Sequence, residues 1–164
     1  EILNARAVES HPFISKLGPD VLDETTTDDT IATRYAELQF QGRQLGSLLL
    51  DQGFIAGLGN YLRSEILFCA RVHPLRRLGE VSASARHALG QQTLILTRQS
   101  YNTQGVTNDL DSYKALRRTG RTFGQSRHWV FDREGDSCYE CGEAIEKISV
   151  NSRRLYYCPH CQTQ

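Results

Sequence analysis

The feature that most constrains this 164-residue chain is a spacing of four cysteines near its end. Cys138-x-x-Cys141 and Cys158-x-x-Cys161 are separated by sixteen residues. Two thiolates placed two residues apart on a tight turn can face one ion together. A β-hairpin between two such turns brings four sulfurs around it. The spacing predicts a zinc ribbon, with Cys138, Cys141, Cys158 and Cys161 holding one structural Zn2+ and strands over 144–150 and 153–158 meeting at Asn151-Ser152. Gly142 and Pro159 suit the sharp turns. Two disulfides or a redox pair are the alternatives. Disulfides suit secreted chains, and Glu1-Ile2-Leu3-Asn4 does not open a basic-then-apolar leader. A redox pair needs a βαβ setting that the pattern lacks. Four thiolates leave no open coordination position, so the metal folds the chain and does not catalyse. His160 could compete as a ligand, but the set of four is complete without it.

Upstream of the cysteines the pattern is helical. Residues 1–26 read as an irregular lead-in, with turns at His11-Pro12 and Gly18-Pro19-Asp20. Thr27 or Asp28 can cap a helix through Ile31, Tyr35, Leu38 and Gln39, and a second runs over 44–52 to Gly53. After Gly57-Leu58-Gly59 a third helix opens at Asn60, with Cys69 a buried, reduced thiol inside it, and His73-Pro74 ends it. A fourth spans about 82–99, with Ala85, Leu89 and Leu96 inward. Residues 100–125 are polar and read mostly as a flexible loop, and Trp129-Val130-Phe131 reads as β. The expected fold is thus mainly α with a small β zinc ribbon, divided into 1–26, 27–125 and 126–164.

The net charge is zero but unevenly spread. Residues 1–60 carry four basic and nine acidic side chains, a net −5, and 61–164 carry a net +5. Sixteen of the nineteen basic residues are Arg, whose planar fork matches phosphate oxygens. Lys114, Arg117, Arg118, Arg121 and Arg127 follow one another without an intervening acid. Either a solvated face or a polyanionic partner accounts for such a run. No apolar run is long enough to span a bilayer. The chain contains no Met, and the expectation is that an N-terminal part precedes it in the natural protein.

The glycine turn carries its own chemistry. A helix N-terminus offers unpaired amides and partial positive charge. Gly57 and Gly59 would let an anion approach that backbone, and Asn60 adds an amide donor. An ordinary packing corner between helices is the other reading.

The run from Leu49 to Phe68, with Ala56-Gly57-Leu58-Gly59-Asn60 at its centre, resembles the helix–two-turn–helix signature of the formamidopyrimidine-DNA glycosylase/endonuclease VIII family. Cys138–Cys161 resembles that family's C-terminal zinc finger, and the two lie in the family's order. His11-Pro12-Phe13, Gly18–Asp23 and Phe131–Gly135 are closer to the endonuclease VIII branch. The resemblance implies a helix–two-turn–helix domain over 27–125 and a zinc finger over 126–164. It implies the DNA-binding half of a base-excision repair glycosylase and AP lyase acting on oxidised bases, pyrimidines above all. In the family an N-terminal Pro and a following Glu on a separate domain do the chemistry. Glu1-Ile2 matches neither, so the chain is expected to be inactive alone, with its partners a lesion-bearing or abasic duplex and that N-terminal catalytic domain. A monomer in the bacterial cytoplasm, on the nucleoid, is implied too.

Residue by residue, Asn60 and the amides of Gly57, Leu58 and Gly59 match the family's contacts to backbone phosphates, and Arg153 or Arg154 matches the zinc-finger Arg that grips them. Glu65 matches a Glu near the active-site pocket that orients its neighbours; a surface salt bridge with Arg63 or Arg71 is the plainer reading. The stretch 101–125 resembles the segment that closes over a flipped base. Two other classes stay open. One is a zinc-stabilised protein-interaction module without DNA affinity. The other is a self-contained enzyme using the amine of Lys114 or Glu1 on abasic sites.

Overall fold

A computed structural model of the chain describes residues 11–163, so the first ten residues of the expected lead-in lie outside the described residues. The rest of that lead-in is docked. Gly18 donates to the Gln52 carbonyl at 2.8 Å, Ala56 donates to Pro19, and Val21 is fully buried. A Cβ at Gly18 would fall 2.3 Å from the Phe54 oxygen, so only glycine lets these strands of backbone touch.

Helix α1 covers Asp28–Ala36, and Thr27 caps it in a reciprocal box with Thr30. It buries Ile31 and Tyr35, and the Tyr35 hydroxyl meets Thr93 at 3.0 Å. The helix stops before Leu38, contrary to expectation. Glu37 turns extended, held by the Arg34 guanidinium, and residues Leu38–Phe40 form a 3-10 turn. Helix α2, Leu45–Leu48, is likewise shorter than the 44–52 reading. The Asp51 carboxylate accepts from Gly53 N at 2.8 Å, offering the backbone a turn in place of more helix.

Helix α3, Asn60–Cys69, is nearly all buried. Helix α4, Ala83–Asn102, starts where Ser82 accepts from Ala85 N at 3.1 Å. It packs on α1 and α3 through Ala85, Leu89, Leu94 and Leu96. Residues 100–125, read as mostly loop, contain the end of α4, helix α5 (Leu110–Arg118) and most of the short α6 (Phe123–Ser126). Strands β1, Glu146–Val150, and β2, Arg153–Tyr157, pair antiparallel from Glu146 against Tyr157 to Val150 against Arg153. Asn151 (φ 52°) and Ser152 (φ 58°) form the two-residue turn that matches strand twist.

Trp129-Val130-Phe131, read as β, pairs with no strand among the described residues. Its amides are claimed by a side chain described below. The helical core and a smaller core of Phe68, Val130, Cys138, Ile145, Tyr156 and Cys158 meet across the hairpin, whose Val150 and Leu155 belong to the former and whose Tyr156 belongs to the latter.

Candidate nucleic-acid interface and metal centre

The four cysteines converge as the spacing requires. All four sulfurs lie within 4.8 Å of one another, with Cys138 to Cys161 at 4.0 Å and Cys141 to Cys158 at 3.4 Å. A tetrahedral ion with Zn–S bonds of about 2.3 Å needs sulfurs roughly 3.8 Å apart, so the set fits zinc. Gly142 (φ 81°) closes the first knuckle, donating to the Cys138 carbonyl at 3.0 Å. The knuckles are tied to the helical part. Gln162 accepts from Cys158 N and donates to the Val72 carbonyl at 2.9 Å, and Arg71 pairs with Glu140. His160 is exposed and outside the sulfur cluster, and Cys69 is partly buried, its thiol pushed up by burial.

The glycine turn is pinned from behind. The Gln52 side chain accepts from Gly57 N and donates to the Leu58 carbonyl, both at 3.0 Å. Gly57 has φ 91°, and a Cβ there would meet Val21 at 3.0 Å, so the turn requires glycine. Gly59 caps α3 in an extended conformation with open space beside it. Leu58 buries its side chain, so only its backbone can face a ligand. The amides of Leu58 and Gly59 have no acceptor among the described residues, and the first amides of α3 have none by helix geometry.

Asn60 opens α3 rather than capping it. Its Nδ2 donates to the Arg154 carbonyl at 3.1 Å, leaving a second N–H for a ligand. That bond joins the glycine turn to the hairpin. Arg63, one turn further along α3, ties the hairpin to α2 as well. It is fully buried, and its guanidinium donates to the carbonyls of Gly46 (2.7 Å), Arg153 (3.1 Å) and Arg154 (3.2 Å). Burial, with the nearby Arg153 charge, lowers its pKa to about 10, which still leaves it charged near neutral pH. Arg153 and Arg154 themselves project exposed side chains with no acceptor among the described residues. Gly57, Leu58, Gly59, Asn60, Arg153 and Arg154 are therefore brought to one end of α3.

Glu65 takes neither the Arg63 nor the Arg71 bridge. It is fully buried and accepts from the amides of Trp129 (2.8 Å), Val130 (2.9 Å) and Phe131 (2.9 Å) and from the Thr107 hydroxyl (2.5 Å). Burial pushes its carboxyl up, and these four donors oppose that. The same Thr107 hydroxyl lies 2.9 Å from His128 Nδ1. Burial pulls the His128 ring down to about 3, keeping it neutral. Arg63, Thr107 and His128 escaped the sequence reading. The signal for Arg63 was its place beside Leu62, Ile66 and Leu67.

Residues 17–110 match the family described as formamidopyrimidine-DNA glycosylase H2TH domain. The chain belongs to the formamidopyrimidine-DNA glycosylase/endonuclease VIII family. Residues 135–164 match the zinc finger found in FPG and IleRS. The chain is 43% identical over 162 residues to Endonuclease 8 of Klebsiella pneumoniae subsp. pneumoniae and 40% identical to Endonuclease 8 of Pectobacterium carotovorum subsp. carotovorum. Each match covers 99% of this chain and 58% of the relative, so the chain spans little more than half the length of these curated relatives. A solved complex of Lactococcus lactis Fpg with abasic-site DNA is 25% identical with a TM-score of 0.76, over 99% of this chain and 57% of that one. A structure of MutM with DNA containing carbocyclic 8-oxo-G, 23% identical and with a TM-score of 0.75 over the same shares, has the same fold. Membership of this family supports a structural zinc ion at the four cysteines. No helix among the described residues is long and apolar enough to cross a membrane.

Proposed function

We propose that this chain grips damaged duplex DNA by its phosphodiester backbone. In this reading it is the binding portion of a base-excision repair glycosylase and AP lyase for oxidised bases, pyrimidines foremost. Excision itself falls to a catalytic N-terminal domain of the kind the family resemblance implies. The protein acts as a monomer, in the bacterial cytoplasm on nucleoid DNA.

The observation that carries this reading is the joining of two donor sets. The free amides of Leu58 and Gly59 with Asn60 on one side, and Arg153 with Arg154 on the other, share one end of α3 through Asn60 and Arg63. Backbone amides at a helix start and unpaired guanidinium groups are phosphate donors that read no base.

The test is binding to a fluorescent duplex carrying a tetrahydrofuran abasic-site analogue, beside an intact duplex, across a salt series with zinc present. The reading expects salt-sensitive binding that favours the abasic duplex. Asn60→Ala and Arg153→Ala are each expected to weaken it about tenfold, the scale of one hydrogen bond to a charged group. No binding at low salt, or mutants that bind like the parent, would overturn the reading.

A further inference from the structure

The stretch expected to be a loop over a flipped base is instead a built helix with an unusual surface. Asp109 caps α5 by accepting from Ser112 N at 2.8 Å. Asp111 sits in its first turn and Arg117 and Arg118 in its last, each placed with the helix dipole. Gly120, at φ 88°, closes it. Yet α5 buries no residue. Its inner side rests on α6 through half-buried Tyr113 and Leu116, with the Tyr113 and Phe123 rings edge to face at 6.3 Å.

The outer side is cationic. Lys114, Arg117 and Arg118 stand at positions i, i+3 and i+4, and Arg121 follows one turn later. All four are exposed. Residues 112–131 contain no acid, so Asp111, 3.2 Å from Lys114, is the one counter-charge within the helix. Arg118 has no partner among the described residues. Like charges at i, i+4 repel, and a nine-residue helix is marginal in water. A surface of this kind is favoured by a polyanion lying across it.

The strip is also anchored. Arg121 donates to the Tyr139 hydroxyl at 3.3 Å, and that hydroxyl donates to the Gln125 carbonyl at 3.0 Å. Tyr139 lies between the knuckle residues Cys138 and Cys141, with the Arg133 guanidinium stacked 3.5 Å from its ring centroid. The zinc knuckle thus holds the end of the strip in place.

We infer that Lys114, Arg117, Arg118 and Arg121 form a second backbone-contact surface, separate from Asn60 and the hairpin tip, that takes phosphates of the same duplex DNA. The inference rests on the proposed DNA-binding reading. It assigns this segment to the backbone and not to the base.

The experiment measures duplex affinity from 50 to 200 mM salt for the parent, Arg118→Gln, the quadruple Lys114/Arg117/Arg118/Arg121→Gln variant, and an Arg117/Arg118/Arg121→Lys variant. Zinc content and circular dichroism check that each is folded. Each phosphate contact contributes about 0.9 to the slope of log affinity against log salt. The parent's salt-driven loss should therefore exceed that of the quadruple variant about 100-fold, and that of Arg118→Gln about threefold. The lysine variant should keep the parent's slope. A folded quadruple variant with the parent's slope overturns the inference while the binding reading stands, leaving the strip solvated or facing an acidic protein. A parent that binds no duplex at low salt removes the reading and the inference together.

Discussion

Helices α3 and α5 have nearly equal lengths and opposite fates. In α3, seven of ten residues are buried, among them Arg63, Ser64 and Glu65; in α5 none is. Both carry charge, but the charge does different work. Within α3 the three buried polar side chains are each answered, although Arg63 Nε has no partner among the described residues. Arg63 meets three carbonyls, Ser64 accepts from Tyr156 N at 3.2 Å, and Glu65 meets four donors. These are joints between the helical core and the ribbon. On α5 the cations face water and outnumber their one counter-charge, Asp111. A charged residue in this fold therefore signals structure or partner according to whether backbone groups converge on it.

The largest test of that contrast is removal of the metal. Structural zinc in small ribbons is worth on the order of 10 kcal/mol, so chelation should melt the hairpin and release the loop over 129–131. Near-ultraviolet circular dichroism at Trp129 follows it. Survival of the Trp129 signal in the zinc-free protein would mean that α3 holds the ribbon unaided.

Next comes Glu65→Ala, which strands the amides of Trp129, Val130 and Phe131. A loss of about 3–5 kcal/mol in urea unfolding is expected, the scale for breaking a buried charged network. A loss under about 1 kcal/mol would show that Glu65 is not a joint.

His128 gives a smaller, pH-dependent effect. Its folded pKa of about 3 lies below the ordinary 6.5, so the folded state favours the neutral ring. Stability from this group is present above pH 6.5 and falls as pH drops from 6.5 toward 3. The loss is about 2 kcal/mol at pH 5. Glu65, 4.0 Å away, and the Arg127 charge are the charged groups acting on it. His128→Gln should flatten this part of the pH–stability curve, and an unchanged slope between pH 6.5 and 5 would contradict it. The smallest effect is Arg118→Gln, expected within about 0.5 kcal/mol in thermal unfolding because the side chain is exposed and has no polar partner among the described residues.

Much of this was legible in the residues, for reasons that differ by segment. The ribbon was readable because cysteine spacing encodes distance directly. The glycine turn was readable because Gly57 is required by its backbone angle and its neighbour Val21. Helix α5 was hidden by composition. Polar, glycine-bearing sequence resembles loop, although Asp109 as a cap and Arg117-Arg118 at the far end were there to be noticed. Trp129-Val130-Phe131 misled in the other direction. β-branched and aromatic residues suggested a strand, but strands need a partner, and here Glu65, 64 to 66 residues away in sequence, supplies the acceptors. No local pattern reports an acceptor that distant.

The buried guanidinium of Arg63 ties the backbone at Gly46 to the hairpin tip at Arg153 and Arg154. With Asn60 holding the Arg154 carbonyl, the glycine turn and the hairpin tip become jaws of a caliper locked at one gauge. On the proposed DNA-binding reading, a duplex seated between them must bring its own repeat to that opening, and one kinked at a damaged step and a straight one would not fill it equally. Selectivity then resides, on that reading, in a fixed width, measured against the shape of the guest, with no side chain reading its letters.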